Sequence, residues 1–241
     1  MTWLAREATL RRVVDGARRG RAPVILGGPG MGRTTVANAA AERLRAEGLE
    51  VEILELGDDD ADPGVSRAGV CLRTGGLALH RALARGRPLP RLEQREVQRV
   101  PLVPLLRRDL RAWAAAAGFA LGEEDLERAF RASGGHPAVF AAWLDARRSS
   151  RNPAALEKRA LASSAELFAR LDRVLAQPEL AKLWDWIATR RSAPVGEMQR
   201  ATGATKAALD RLVLAGPVSR TLGSRAEIAV TCELYLRWLG R

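Results

Sequence analysis

Residues 23–35 read Pro23-Val24-Ile25-Leu26-Gly27-Gly28-Pro29-Gly30-Met31-Gly32-Arg33-Thr34-Thr35. A short apolar run, suited to a buried strand, gives way to a glycine-rich loop. The stretch from Thr34 to Glu47 that follows is rich in Ala, Leu, Arg and Glu, and it predicts a helix that Gly48 stops. Strand, loop and helix in that order, with the spacing Gly-x-x-x-x-Gly-basic-Thr, point to a loop that holds phosphate. Such a loop works because successive backbone N–H groups and a helix N-terminus converge on phosphate oxygens. Gly27, Gly28, Gly30 and Gly32 are expected to turn with positive φ and to approach the phosphates with no Cβ in the way. Thr34 is expected to start the helix and offer its hydroxyl to Mg²⁺, with Thr35 beside it.

Arg33 stands where this motif normally has Lys. An ammonium is compact and slides between phosphates, whereas a guanidinium is a wider planar fork that pairs well with phosphate but fills a different volume. Binding can survive the exchange more readily than the geometry of phosphoryl transfer. The alternative is simple drift, since the chain strongly prefers Arg and has only Lys158, Lys182 and Lys206.

Composition excludes several classes. With 241 residues and 47% apolar content, a folded core plus one or two small helical domains is expected, and disorder is not. No apolar run nears the roughly 18 residues of a membrane span, and the charged N-terminus is unlike a signal peptide. Cys71 and Cys232 sit in apolar surroundings, which predicts buried thiols and a reducing cytoplasm. Two Cys with His80 and His136 make no metal-ligand pattern. The net charge of +11 permits a polyanionic partner such as nucleic acid, and equally suits plain solubility.

Along the chain, the pattern predicts a helix over 4–19, strands over 24–26, 49–56 and 68–73, and a helix over 77–85. Residues 57–64 and 86–90 read as loops, and Val100 to Leu105 as a further break. Helices are predicted over 105–117, 123–133, 137–147, 153–176 and 178–190. After these, 194–201 and 204–215 around Thr202-Gly203 form a helix-turn-helix pattern, 217–230 reads as a two-stranded wing, and 231–239 as a last helix. The fold class expected is α/β: a small, reduced nucleotide-binding sheet over 1–100, a helical lid over 101–150, and a winged helix over 151–241.

Taken together these pieces resemble the P-loop ATPases of the AAA+/STAND group, especially the branch related to archaeal origin-recognition-type ATPases. Beyond the loop, the resemblance rests on three segments and a final winged helix. Trp3 to Leu10 looks like the family's opening Gly-Arg-Glu motif, with Ala5 at the Gly, and implies that Arg6 lies near the adenine. Val103-Pro104-Leu105 resembles the step into the lid, and Gly134-Gly135-His136-Pro137 the lid's Gly-x-Pro signature, which implies that His136 approaches the phosphates. Val70 to Gly75 sits where the family keeps its sensor strand, making Arg73 or Thr74 candidate phosphate readers. The resemblance implies ATP or ADP with Mg²⁺ as ligands, and a protein partner or self-assembly.

One departure concerns chemistry. A hydrolytic site normally adds a strand of about four apolar residues ending in an acid. Val51 to Leu56 alternates with charge, and Val70-Cys71-Leu72 ends in Arg73, so that strand is expected to be missing. Asp58 to Asp60 could act as metal ligands or form an exposed turn. Two functions remain open: a nucleotide switch with weak or absent hydrolysis inside an assembly, or a non-enzymatic adaptor or DNA-binding regulator on a vestigial core. For DNA, Thr205, Lys206 and Arg211 are expected on or near the exposed face of the second helix of the pair, with Arg220 and Arg225 flanking the wing tip.

Overall fold

The computed structural model describes residues 6–57, 68–85, 96–221 and 226–241. They form two compact units, the first taking the described residues up to Gly28 and from Gly32 to Leu102. The second takes Pro29–Met31 and Val103–Arg241. Trp3 to Ala5, Asp58 to Asp60 and Arg225 lie outside the described residues.

The first unit runs α1 (Glu7–Arg18), β1 (Ala22–Leu26), α2 (Arg33–Ala46), β2 (Val51–Glu55), β3 (Val70–Gly75), α3 (Leu77–Ala84) and β4 (Val97–Pro101). Its strands make one parallel sheet in the order β2-β3-β1-β4. Every residue of β1 and β3 is buried, as central parallel strands require, and both read as continuous apolar runs up to their ends. The edge strands β2 and β4 mix polar or charged residues with apolar ones, as an edge half-open to water allows. β4 corrects the expectation of a break near Val100. Val97-Gln98-Arg99-Val100-Pro101 pairs in parallel with β1, and Pro101 is tolerated there because β4 is an edge strand. Glu7 accepts both guanidinium bonds of Arg43, at 2.9 and 2.8 Å, and so ties α1 to α2. That pairing, with Arg11 adding to it, holds the Glu7 carboxyl at about 2.

The second unit is helical except for three short strands. It comprises α4 (Arg107–Ala116), α5 (Glu123–Ser133), α6 (Pro137–Ser149), α7 (Pro153–Ser163), α8 (Ala165–Leu175) and α9 (Pro178–Arg190). Then come β5 (Ser192–Pro194), α10 (Val195–Thr202), α11 (Lys206–Ala215), β6 (Val218–Arg220), β7 (Glu227–Val230) and α12 (Glu233–Trp238). Pro137, Pro153 and Pro178 each open a helix, where a missing N–H costs nothing. The single helix expected over 153–176 is two helices that meet at Ser164, which is buried. α10 and α11 flank a turn at Gly203, and β5, β7 and β6 pair antiparallel beside them. Phe168, Trp184, Tyr235 and Trp238 stack as the aromatic core that joins α8, α9 and α12.

Cys71 and Cys232 are both buried free thiols. Burial pushes Cys232 up to about 12, so its thiol stays protonated and unreactive at neutral pH. No described helix is long and apolar enough to cross a membrane.

Candidate phosphate-binding site

β1 delivers the glycine loop at the C-terminal end of the sheet, and α2 leaves it one residue after Gly32. The loop glycines divide by task. Gly30 and Gly32 have φ of 71° and 83°, the left-handed region that favours glycine, whereas Gly27 and Gly28 do not adopt positive φ. Gly27 instead prolongs the sheet, donating its N–H to the Gly75 carbonyl at 3.2 Å. The expected use of all four glycines for positive φ is thus corrected to two, because the sheet continues further into the loop than its sequence suggests.

Gly32 is the N-cap of α2, and no side chain caps this helix. Its carbonyl closes the first turn by accepting from Val36 at 3.1 Å. No acid lies in that first turn, and Thr34 and Thr35 are exposed. A helix N-terminus carries about half a positive charge together with amides that lack intrahelical acceptors. With no side-chain cap and no acid in its first turn, this end of α2 has the features of a helix start that accepts an anion. Arg33, half-buried at the first helical position, adds a full positive charge. An Mg²⁺ that accompanied a phosphate here would find the Thr34 hydroxyl as its protein ligand. No cluster of three His, Cys, Asp or Glu side chains that could hold a metal exists among the described residues.

On one side of β1 lies β3, with Val24 opposite Arg73, Ile25 opposite Thr74 and Leu26 opposite Gly75. Arg73 and Thr74 therefore stand, buried, next to the strand that feeds the loop. β2 is next again, with Glu55 opposite Thr74. Glu55 closes β2 at the loop's end of the sheet and is exposed. Among the described strands, none is an apolar run that ends in an acid.

The tip of the loop belongs to the second unit. His136 is fully buried, and its Nε2 lies 3.0 Å from the Pro29 carbonyl. A carbonyl only accepts, so Nε2 carries the proton and donates. Ala138, in the first turn of α6, donates its N–H to the Gly30 carbonyl at 3.3 Å. A Cβ on Gly30 would lie within 2.9 Å of atoms of Ala138, His136 and Leu167, so only glycine fits. His136, expected to face the phosphates, is committed through Nε2 to the main chain of the loop. Arg6 is the N-cap of α1, its carbonyl accepting from Leu10 at 2.8 Å.

The cations expected on an exposed nucleic-acid face fare differently. Arg211 is buried and paired with Glu179 at 2.5 Å, which corrects its expected exposure. It lies three residues after Ala208 and four before Ala215, both buried, and so shares their inward face. Arg220 pairs with Asp210 at 2.9 Å. Thr205 is the N-cap of α11, its Oγ1 accepting from Ala208 at 3.2 Å. Lys206 is exposed.

A parallel sheet whose central strand runs through such a loop into an uncapped helix is the fold of a P-loop ATPase. Among solved structures, the chain is similar to a Walker-type ATPase of Pyrococcus abyssi, with 12% identity, a TM-score of 0.62, and coverage of 98% of this chain and 95% of that one. It also aligns with the ORC2 protein of Aeropyrum pernix in its ADPNP–ADP complexes, at 12% identity and a TM-score of 0.44 over 97% of this chain and 92% of that one. RuvB of Thermotoga maritima aligns at 15% identity and a TM-score of 0.40 over 96% and 92%. No family model matches the sequence. No curated protein matches it either.

Proposed function

We propose that the chain is a nucleotide-binding switch of the AAA+/STAND kind, which takes ATP or ADP at the Gly27–Thr35 loop and acts within a larger assembly. The observation that carries this reading is the start of α2: a glycine cap in the left-handed region, no competing side-chain cap, no acid in the first turn, and a cation at its first position. In this reading the amides from Gly30 to Thr34 hold the phosphates and Arg33 offsets their charge. Thr34 holds Mg²⁺, which supplies further charge neutralisation when bound, and Arg6 lies on the base side. Arg33 in place of Lys makes hydrolysis slow or absent, because the guanidinium binds phosphate without reproducing the position of an ammonium. Glu55 is the candidate acid for whatever turnover remains. The sheet (1–100), the lid (101–150) and a winged helix (151–241) divide the work, the last serving mainly to dock a protein partner. Arg211 and Arg220 are held in ion pairs, which weakens the case for a DNA groove at α11.

The test compares nucleotide binding and turnover in the wild type, Arg33→Ala and Arg33→Lys. Mg-nucleotide binding with negligible turnover in the wild type, weaker binding in Arg33→Ala and raised turnover in Arg33→Lys are expected. Brisk wild-type turnover, or Arg33→Lys no faster than the wild type, would contradict the switch reading.

A further inference from the structure

Inside the second unit, the loop tip meets two other segments at one buried junction. The His136 imidazole donates to the Pro29 carbonyl. Its Cδ2–Nε2 edge also abuts Gly216, the C-cap of α11, which has a φ of 111°. A Cβ at Gly216 would lie 2.8 Å from His136 Cδ2, 2.8 Å from Met31 Sδ and 3.2 Å from His136 Nε2. Met31 is itself fully buried, and it is the residue immediately before the Gly32 cap of α2. One imidazole and one thioether therefore fill the space between the phosphate loop and the end of α11, with no room for a methyl group.

We propose that His136 is a positioning residue for the phosphate loop, holding the Pro29 carbonyl while Gly216 locks its ring, so that the loop's anion-binding shape depends on where α11 ends. The inference rests on the nucleotide-binding reading of the same loop and adds how that loop is held and what is held with it. Three observations converge. The Pro29 carbonyl is buried and needs a donor, since an unmet buried acceptor is costly. The neighbouring Gly30 carbonyl is also held, by the N-terminus of α6, so the tip is gripped at two successive peptides. And Gly30 and Gly216, both against the ring, are sites where a side chain has no space. A loop gripped by its carbonyls keeps its conformation before ligand arrives, which lowers the ordering cost of binding. Because Gly216 and Met31 close on the same ring with no spare space, a shift of α11 is felt at Pro29–Met31 inside this unit.

The test measures Mg-ADP affinity by fluorescence of a labelled nucleotide in the wild type, His136→Ala and His136→Gln, with thermal melts as folding controls. Gln places an amide N–H close to where Nε2 stands, so it restores the donor. His136→Ala is expected to bind about tenfold more weakly and His136→Gln within about threefold of the wild type. Equal affinity in wild type and His136→Ala overturns the proposal, as does His136→Gln binding as weakly as His136→Ala. Absence of binding in the wild type overturns the nucleotide reading itself, which is a different result. If His136→Ala fails to fold, the His136 ring N–H signal of the wild type decides. The chain has only two histidines, so the ring N–H signal of His136 is readily assigned by NMR. That signal should shift when Mg-ADP is added, and an unmoved signal in a nucleotide-bound sample contradicts the role.

Discussion

The N-termini of α2 and α11 look alike in sequence, each a threonine beside a basic residue at the head of an alanine-rich helix, and they are built in opposite ways. α11 closes on itself: Thr205 caps it, Arg211 is consumed by Glu179, and Arg220 by Asp210. α2 is left open: its cap is a glycine, its hydroxyls face outward and no acid offsets its dipole. A helix that satisfies its own first amide needs no ligand. One that spends a glycine there has no side-chain cap of its own, and the nucleotide-binding proposal rests on that difference.

The sharpest way to break the comparison is to place an acid in each helix start. Thr34→Asp should leave thermal stability unchanged or slightly raised, because an acid suits a helix N-terminus, yet weaken Mg-nucleotide binding at least ~100-fold through like-charge repulsion. Thr205→Asp should change neither property appreciably, since Asp caps as well as Thr. Parallel melts and nucleotide titrations on the two variants check this. Next in size, Arg211→Met should cost about 1–3 kcal/mol in urea unfolding, the cost of stranding one member of a mostly buried pair. It should leave nucleotide affinity unchanged. A loss of DNA affinity with unaltered stability would show instead that Arg211 works on a surface. Thr205→Ala should cost about 1 kcal/mol by the same measurement, the usual value of a lost cap.

The smallest effect is electrostatic. Arg43 and Arg11 depress Glu7 to about 2 in the folded chain from an ordinary value of 4.5. A depressed carboxyl stabilises the fold above its unfolded value, so the contribution is present above about pH 4.5 and is lost as pH falls toward about 2. Both partners are nearly half exposed, at 43% and 45%, so screening holds the contribution below about 1 kcal/mol. Unfolding curves of Glu7→Gln and wild type should differ at pH 7 and converge near pH 2. In 1 M salt the difference at pH 7 should shrink.

What the sequence disclosed follows from how local each signal is. The loop and α2 were legible because their glycines and alanines act within a few residues of themselves. β4 was hidden because Val97 to Pro101 is an edge strand that needs only one good face and tolerates proline. The break at Ser164 carries no glycine or proline to announce it; it shows only when α7 and α8 are seen to pack separately. The inward face of Arg211 was readable, since Ala208 and Ala215 mark it at helical spacing, but a long cationic side chain invites an outward reading. His136 is the instructive case. Its place before Pro137 at the start of α6 marks it as important, yet only the distance to the Pro29 carbonyl shows that it holds the loop itself.

The central claim is that the start of α2 takes a phosphate. Calorimetric titration of the wild-type protein with ADP and with ATP, in Mg²⁺ at moderate salt, should give one site per chain with micromolar affinity, lost in Thr34→Asp. Absence of binding heat up to millimolar nucleotide at two temperatures, or unchanged binding in Thr34→Asp, would contradict it.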